Sequence, residues 1–380
     1  MSSFRFRPFE WGASAIRVLD PALFFLLLLL LGYAWVLMAS ASPERLPTLR
    51  MHMLVGIGAM WVFAAIPTKR LLQVAPPFYA LGLLLLLGVF LFGESSKGAQ
   101  RWLDLGVMRI QPSELMKISV PLMMAWYFQH RSDSIRALDF IAASLLFVIP
   151  LAFILAQPDL GTSLLVASAG VYVLFFAGLS WKLIGPVVVA GLVGIVALVG
   201  FGDQLCQPEV DWQVLRDYQK QRVCTLLDPY QDPLGRGFHT IQAAIAIGSG
   251  GMWGKGWMDG TQTHLAFIPE RHTDFIFAVL GEEFGLVGGI TLLALYLLFV
   301  WRGLYIAARA PLLGVRLFAG ALAMMVFTYV FVNIGMVTGL LPVVGAPLPF
   351  LSYGGTALVT LCIGTGMLMS AARSRSSLKN

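Results

Sequence analysis

Long apolar runs without a charged side chain recur along most of the sequence. A helix needs about 20 mostly apolar residues to cross the hydrocarbon core of a bilayer, because each residue advances it by about 1.5 Å. Prolines divide the last and longest run into two, and one further segment is apolar apart from one acid and one base near its start. The sequence therefore predicts about ten membrane-spanning helices, over residues 21–42, 51–68, 71–93, 112–130, 140–158, 160–181, 183–202, 273–301 and, in two parts, 317–372.

The composition excludes an ordinary water-soluble enzyme. Only 12% of the 380 residues are charged and 58% are hydrophobic, whereas about 25% of the residues in a soluble domain are charged. So few charges cannot cover a soluble surface of this size, but a bilayer solvates apolar side chains directly. We predict an all-α polytopic membrane protein, with residues 1–380 forming a single integral-membrane domain.

The first apolar run has a second interpretation, as a cleaved signal peptide. Basic residues precede it, and Ala39, Ser40 and Ala41 resemble a cleavage site. The apolar part of a signal peptide is, however, only about 7–15 residues long and is not followed by further spans. We therefore expect this run to be retained as the first helix.

The charges are distributed unequally between the two sides of the predicted bundle. Ten crossings place both termini on one side, which collects fourteen basic and four acidic residues, while the other side takes twelve basic and sixteen acidic ones. Because Lys and Arg accumulate in cytoplasmic loops, we expect the N- and C-termini to be cytoplasmic. The net charge of +6 then reflects membrane orientation, and no nucleic-acid partner is expected.

Two polar connections fall on the opposite, extracytoplasmic side. Residues 94–111 are expected to form a loop, and residues 203–272 a large loop of roughly 70 residues, although helix connections usually have about 2–8. We interpret the larger loop as an ordered cap over an extracytoplasmic site, with a short helix over 240–247. It contains Cys206 and Cys224. An oxidising compartment permits a bond between them, but the sequence leaves bonded and free thiols equally open.

Charged residues near the ends of the spans are the first candidates for function, because an intramembrane charge is costly and usually faces a cavity. Glu114 and Lys117 are i, i+3 neighbours on one face of the helix that Pro112 begins. The alternative is a folding ion pair without a further role. Asp159 follows Pro158 at a break between two spans, where it also fits a plain interhelical turn.

A third candidate cluster lies where the large loop ends. Arg271, His272 and Asp274 precede a predicted helix that carries Glu282 and Glu283, about 12 Å further along its axis. An acid at a helix start can simply cap the helix. A cap accounts for one acid but not for the whole cluster.

The fourth candidate is a proline-rich stretch over residues 342–349 that leads into Ser352 and Tyr353. Irregular backbone at membrane depth is tolerated only where it is buried in protein or lines a cavity. A helix that begins near Ser352 would also present free N–H groups to an anion. The alternative is a proline-broken turn between two spans.

Taken together, these segments resemble the SEDS family (shape, elongation, division and sporulation proteins), the peptidoglycan polymerases of bacteria. The resemblance implies a glycosyltransferase that polymerises lipid II during cell elongation, in the bacterial cytoplasmic (inner) membrane with its active site facing the periplasm. Two of the stretches are closer to the elongation members than to the division members. The motifs that carry the resemblance are residues 99–106, 111–117, 157–162, 268–277, 281–283 and 352–355, and the two discriminating stretches are 269–274 and 341–349.

The resemblance also implies residue roles. Asp274 would be the catalytic carboxylate and general base, while Lys117 and Arg101 would bind the leaving diphosphate. Glu114 would orient Lys117, and Trp102 would pack against sugar or lipid. The implied substrate-binding residues are Arg101, Trp102, Glu114, Lys117, Asp159, Arg271, His272, Ser352 and Tyr353, with Glu282 and Glu283 in support.

Partners and cofactors follow from the same resemblance. The expected partners are lipid II, the undecaprenyl-diphosphate-linked glycan, a class B penicillin-binding transpeptidase, other elongation-complex proteins and membrane lipids. No metal ligands and no certain cofactor are expected, although a divalent cation (Mg²⁺ or Mn²⁺) could assist the leaving diphosphate.

Other functions fit parts of the sequence. A lipid II flippase or transporter also has broken helices and buried charges, but transporters bind their substrate near the bilayer midplane. The costly residues here cluster near one face instead. If the protein were a scaffold that only docks the transpeptidase, the energetic cost of placing the charges of Asp274 and Lys117 in the membrane would stay unexplained. A division polymerase of the same family is the remaining alternative.

Overall fold

The computed structural model describes residues 18–96, 99–104, 109–132, 134–207, 210, 217–235, 237–265, 267–268 and 270–374. Nearly all the regular structure in these ranges is helical, so the predicted all-α membrane fold is confirmed. In chain order the helices are α1 (Pro21–Ala41), α2 (Leu46–Ala65), α3 (Thr68–Gln73), α4 (Ala75–Phe92), α5 (Pro112–His130), α6 (Ala137–Ala156), α7 (Leu160–Phe176), α8 (Trp181–Gly200), α9 (Gly202–Leu205), α10 (Asp217–Leu227), α11 (Phe238–Gly250), α12 (Thr261–His264), α13 (Ile276–Arg309), α14 (Leu313–Val337) and α15 (Gly355–Ser374).

Ten long helices in the described part of the chain correspond to the ten predicted segments. Eight of them are long and apolar enough to cross a membrane. The other two are α7, which has 17 residues, and α5, which carries a buried acid and a buried base. The number of crossings and the side on which the termini lie stay predictions.

Helix α14 lies at the centre of the bundle, where it packs against α5, α7 and α13, while α15 packs along α2. Most side chains of α14 are buried, whereas α8 has none that is. The apolar surface of α8 would be unfavourable in water but is compatible with lipid. The exposed apolar side chains of the outer helices therefore form the lipid-facing surface of a multi-pass membrane protein.

The connection between α4 and α5 differs from the predicted loop. It forms a small antiparallel sheet of three strands in the order β1-β2-β3, in which Leu103 pairs with Ile110. The middle strand has only six residues and contains no long apolar run, so a search for long apolar runs overlooks it. The strands are β1 (Glu94–Ser96), β2 (Ala99–Asp104) and β3 (Arg109–Ile110).

The large connection between α8 and α13 is ordered over much of its described part. Cys206 and Cys224 form a disulfide bond, which resolves the alternative that the sequence left open. The predicted helix over 240–247 is confirmed, because these residues lie within α11. Helix α11 packs against α13 and α14.

Helix α13 is interrupted at Gly285, whose φ of +60° is rarely adopted by residues with a side chain. The segment after α11 fills the interruption. The carbonyl oxygens of Gly251 and Met252 accept hydrogen bonds from the N–H groups of Leu286 and Val287, at 2.9 and 3.1 Å. A non-helical segment thereby satisfies backbone groups inside a long apolar helix, as a bilayer requires.

The Glu282 side chain fastens the same segment to α13. Its carboxylate is fully buried and accepts a hydrogen bond from Lys255 Nζ at 2.7 Å. The backbone N–H groups of Gln262 and Thr263 also donate to it, at 2.9 and 3.2 Å. These hydrogen bonds offset the burial of the carboxylate and couple the large connection to the helix.

We predict that Glu282→Ala lowers the free energy of unfolding by about 3 kcal/mol, because it leaves a partly buried ammonium and two backbone N–H groups without their acceptor. The measurement is thermal unfolding of the purified protein in detergent. Glu44→Ala is the matched control, since Glu44 is exposed and pairs loosely with Arg45 at 3.9 Å. Equal unfolding midpoints for the two variants would contradict the structural role of Glu282.

Candidate functional site

A cavity of about 810 Å³ opens between the helices, the small sheet and the irregular segment between α14 and α15. It brings together residues from motifs that lie far apart in the sequence. Seven of the predicted site residues line it, namely Arg101, Trp102, Glu114, Lys117, Asp159, Asp274 and Tyr353.

The first charged group of the cavity is the Glu114–Lys117 pair on α5. The helix begins at Pro112, whose missing N–H costs nothing in the first turn. Lys117 is only 1% exposed, and its Nζ donates to Glu114 Oε1 at 2.5 Å. It also donates to the hydroxyl of Tyr329 on α14, again at 2.5 Å. The ammonium is thus held from two helices while it stays in the cavity wall.

The second charged group joins the small sheet to the start of α7. Arg101 on β2 lies 3.8 Å from Asp159 and donates to the carbonyl oxygen of Pro158 at 2.9 Å. Asp159 also caps α7 by accepting from the N–H of Thr162, and it accepts from Gln111 Nε2 at 3.2 Å. The alternative of a plain interhelical turn is therefore partly right, but the same carboxylate also orients a cavity-lining guanidinium.

Asp274 lies just before α13, half-buried in the cavity wall. Asp274 is not the cap residue, because the cap position of α13 is Phe275. Its backbone is fixed by the fully buried Asn333 of α14. The Asn333 amide donates to the carbonyl oxygens of Asp274 and Ala346, at 2.8 and 2.7 Å. One side chain therefore connects the Asp274 segment to the segment before α15.

The segment before α15 is irregular, as predicted, and hydrogen bonds hold it in place. Ser352 Oγ donates to the carbonyl of Thr273 at 2.5 Å and accepts from the N–H of Leu348 at 2.8 Å. Gly161 of α7 packs against the segment so closely that a Cβ atom there would lie 3.0 Å from the Val344 carbonyl oxygen. Any side chain at Gly161 would push this cavity wall away.

Tyr353 lies among three cationic or titratable side chains. The Arg45 guanidinium lies 5.0 Å from the ring centre, and the rings of His52 and His272 lie 5.8 and 6.0 Å away. Burial and the neighbouring positive charge of Arg45 lower the pKa of His272 from its ordinary value of 6.5. His272 is therefore mostly neutral at neutral pH.

Five predicted site residues lie outside the cavity lining, and each supports a neighbouring segment. The Arg271 side chain donates to the carbonyl oxygens of Ala41 and Thr263, at 2.6 and 2.9 Å. The carbonyl oxygen of His272 accepts from the N–H of Tyr353 at 2.8 Å. The other three are Ser352, Glu282 and Glu283, the last of which accepts a hydrogen bond from Ser40 Oγ.

The expectation that the large connection covers the site is not met by its described part. No described residue between 203 and 272 lines the cavity. The large connection instead packs against α13 and α14 and against the interruption at Gly285. Gly250 and Gly254 lie so close to α13 that a Cβ atom at either position would overlap backbone oxygens of that helix.

Several cavity residues were missed by sequence reasoning. His52 and Gln111 line the cavity, while Tyr329 and Asn333 hold its charged and irregular parts. Tyr329 and Asn333 are uncharged polar residues in a charge-free apolar run. An uncharged polar residue in such a run is a weaker signal than a charge, but it marks the same need for a partner.

The charges suit an anionic substrate with a reacting hydroxyl. Lys117, Arg101 and Arg109 line the cavity, and so does the start of α15 at Gly355, where a helix presents its positive end. Asp274 adds a carboxylate that can accept a proton. Within the described residues, no three His, Cys, Asp or Glu side chains come together as metal ligands.

The fold and the cavity define a multi-pass membrane protein with a charged site between its helices. A family model, described as a cell cycle protein of the FtsW, RodA and SpoVE type, matches residues 21–377. The chain therefore belongs to the FtsW/RodA/SpoVE family, and the family resemblance seen in the motifs is confirmed.

The chain is similar to known enzymes and to proteins whose structures have been solved. The chain is 50% identical over 363 residues to the peptidoglycan glycosyltransferase MrdB of Escherichia coli K12, with 95% of each chain covered. It is 34% identical, with a TM-score of 0.77, to a chain in the structure of a peptidoglycan synthase complex that coordinates polymerization and crosslinking, covering 94% of this chain and 98% of that one. The rod shape determining protein RodA of Thermus thermophilus is 30% identical with a TM-score of 0.69, at coverages of 96% and 99%.

We predict that Asn333→Ala lowers the free energy of unfolding by about 1–3 kcal/mol, because two buried carbonyl oxygens lose their shared donor. Thermal unfolding in detergent measures the change. Thr338→Ala is the control, since the exposed Thr338 hydroxyl bonds only to carbonyl oxygens of its own helix. A midpoint for Asn333→Ala that matches the control would show that the two segments are held by other contacts.

Proposed function

We propose that this chain is a peptidoglycan glycosyltransferase that polymerises lipid II. The similarity to MrdB over nearly the whole chain supports the activity. The structural observation that carries the proposal is that Lys117, Arg101 and Asp274 line one cavity at the edge of the bundle. Two cations for a diphosphate and one carboxylate for a hydroxyl proton are the groups that this reaction needs.

In the proposed reaction, the 4-hydroxyl oxygen of an incoming lipid II attacks the anomeric carbon of the growing strand. A carbon–oxygen bond forms there, while the bond from the same carbon to the diphosphate oxygen breaks. Undecaprenyl diphosphate leaves with the electron pair. A single direct displacement converts the α-linked donor into a β-linked product.

Asp274 is the general base that takes the hydroxyl proton. Its position is suited to this role, because the carboxylate lies in the cavity wall and Asn333 fixes the backbone beneath it. A positioned base contributes a factor of about 10²–10⁴ to the rate. Fixing the backbone reduces the reorganisation that is needed before proton transfer.

Lys117 and Arg101 stabilise the negative charge that develops on the leaving diphosphate. Each is held by a carboxylate, Glu114 for Lys117 and Asp159 for Arg101, so both cations are oriented before substrate binds. Preorganised charges of this kind act strongly in a site with little water. Trp102, in the same wall, offers an apolar face to sugar or lipid.

The steps above are assigned to side chains of this chain, and a divalent cation bound with the diphosphate would add positive charge there. Glu114 and Asp159 already bind Lys117 and Arg101. The described part of the chain contains no group of three metal-ligating side chains. Mg²⁺ is, however, usually held by one or two carboxylates together with substrate phosphates, so a divalent cation at the leaving diphosphate stays a prediction.

The biological setting belongs to the same proposal. The positive-inside distribution supports cytoplasmic termini and a cavity that faces the periplasm. Similarity to MrdB and RodA supports action in cell elongation, in the bacterial inner membrane. The likeness to a chain of a peptidoglycan synthase complex supports pairing with a class B penicillin-binding transpeptidase.

We predict that Asp274→Asn reduces lipid II polymerisation by about 10²–10⁴-fold, because the amide keeps the volume of the side chain but cannot accept the proton. The assay uses purified protein with its transpeptidase partner and measures glycan length from labelled lipid II. Asp259→Asn is the matched control, because Asp259 is exposed and does not line the cavity.

Two outcomes would contradict parts of this account. Normal glycan synthesis by the Asp274→Asn variant would contradict the assignment of Asp274 as the general base. If the wild-type protein moved lipid II across liposome membranes without forming any polymer, it would be a transporter and not a polymerase.

A second prediction separates a catalytic role of Lys117 from a folding role. Lys117→Met should destabilise the protein by about 3–5 kcal/mol, because the Glu114 carboxylate is left buried and unpaired. The double variant Glu114→Gln/Lys117→Met contains no charge at this position and should regain most of the stability. Polymerisation should stay reduced by about 10²–10³-fold in the double variant, because the cation at the diphosphate is still missing.

The two readouts are the thermal unfolding midpoint and the rate of polymerisation. If the double variant regains both stability and polymerisation, Glu114 and Lys117 form a folding pair only. Lost polymerisation in a protein of near wild-type stability would support the catalytic role.

A further inference from the structure

The segment that fills the interruption of α13 has an apolar outer surface. Met252, Trp253, Trp257 and Met258 are 59%, 78%, 50% and 43% exposed, although their segment is neither helical nor at a chain end. Four large apolar side chains on one short segment form an exposed patch that indicates a binding surface. We call residues 251–258 the aromatic loop.

One measure of the depth of the aromatic loop comes from α13. The loop bonds to the N–H of Leu286, and the helix runs from there to Arg302, which forms an ion pair with Asp20 at 2.6 Å. The sixteen residues from Leu286 to Arg302 span about 24 Å at 1.5 Å per residue. Charged pairs lie near the edge of the hydrocarbon core because charges are costly inside it.

A second measure comes from α1 and agrees with the first. Trp257 Nε1 donates to the carbonyl oxygen of Val36 at 3.1 Å. Val36 lies sixteen residues beyond Asp20, which is again about 24 Å along the helix. The hydrocarbon core is about 30 Å thick. The aromatic loop is therefore level with the boundary of the leaflet opposite the Asp20–Arg302 pair.

The two faces of the aromatic loop differ in polarity. Lys255 turns inward to the buried Glu282 carboxylate, whereas the tryptophan and methionine side chains point outward. The outward face is next to Leu286 and continues along α13 to Ile290, which are 53% and 57% exposed on the lipid-facing surface. Trp is enriched where membrane meets water, because its ring is apolar and its N–H is polar.

We propose that the aromatic loop is an interfacial anchor, which inserts Met252, Trp253 and Trp257 into the lipid headgroup and acyl boundary. The occupant of this surface is lipid, because the surface continues the lipid-facing side of α13 and lies at the depth of the bilayer boundary. The anchor holds the interruption of α13, and with it the start of that helix, at a fixed height in the membrane. This inference depends on the membrane position of the helices and not on the proposed reaction.

The test uses an environment-sensitive fluorophore attached to single cysteines in the otherwise unchanged chain. Cys206 and Cys224 are bonded and Cys362 is buried, so the introduced thiol is the reactive one. The test positions are Trp253→Cys and Met252→Cys. The purified protein is placed, without a partner, in nanodiscs that contain lipids with a nitroxide either near the headgroup or deep in the acyl chain.

Two control positions calibrate the depth. Ile290→Cys lies on the exposed face of α13, about 18 Å from Arg302, and reports the bilayer interior. Gln231→Cys is exposed in the acidic stretch between Asp228 and Asp232, and reports water. Iodide in the buffer quenches fluorophores that are exposed to water.

The anchor predicts that labels at 252 and 253 lose fluorescence most with the headgroup-proximal nitroxide and are protected from iodide. The label at 290 should respond most to the deep nitroxide, and the label at 231 to iodide alone. If the labels at 252 and 253 behave like the label at 231, the surface is in water and lipid is not its occupant. A response like that of the label at 290 would overturn the interfacial depth.

Discussion

The buried ion pair between Glu114 and Lys117 is the interaction on which the cavity depends. Two opposite charges inside an apolar bundle are stable only if each has a close partner, and the desolvation cost is several kcal/mol per ion. Tyr329 supplies the additional bond from α14 and thereby sets how α5 and α14 lie against each other. The other charged groups line the same cavity as this fixed cation.

Irregular backbone is the second constraint, because a bilayer core offers no water to unpaired N–H and carbonyl groups. The segments before α13 and α15 therefore bond to each other, through Asn333 and Ser352, and Gly161 lets α7 approach them closely. The result is a wall of irregular backbone that holds the Asp274 carboxylate at the cavity. The Asp274 carboxylate thereby lines the same cavity as cations from the small sheet and α5.

Much of this arrangement could be predicted from the sequence, because a bilayer demands long apolar runs and makes charges conspicuous. The positions of the ten helices and the grouping of Arg101, Lys117 and Asp274 follow from these two signals and the family motifs. The contributions of Tyr329 and Asn333 could not be predicted, because an uncharged polar residue in an apolar run does not indicate which group it bonds to. The small sheet was missed because its strands are short and contain no long apolar run. The course of the large connection was missed because some of its contacts, such as that of Trp257 with Val36, join residues remote in sequence.

The most direct measurement is a structure of the protein with an unreactive analogue of the lipid-linked donor and with lipid II. The account predicts that the diphosphate lies within hydrogen-bond distance of Lys117 and Arg101, and that the acceptor hydroxyl lies beside the Asp274 carboxylate. A diphosphate bound elsewhere, with Lys117 still directed only at Glu114 and Tyr329, would contradict it.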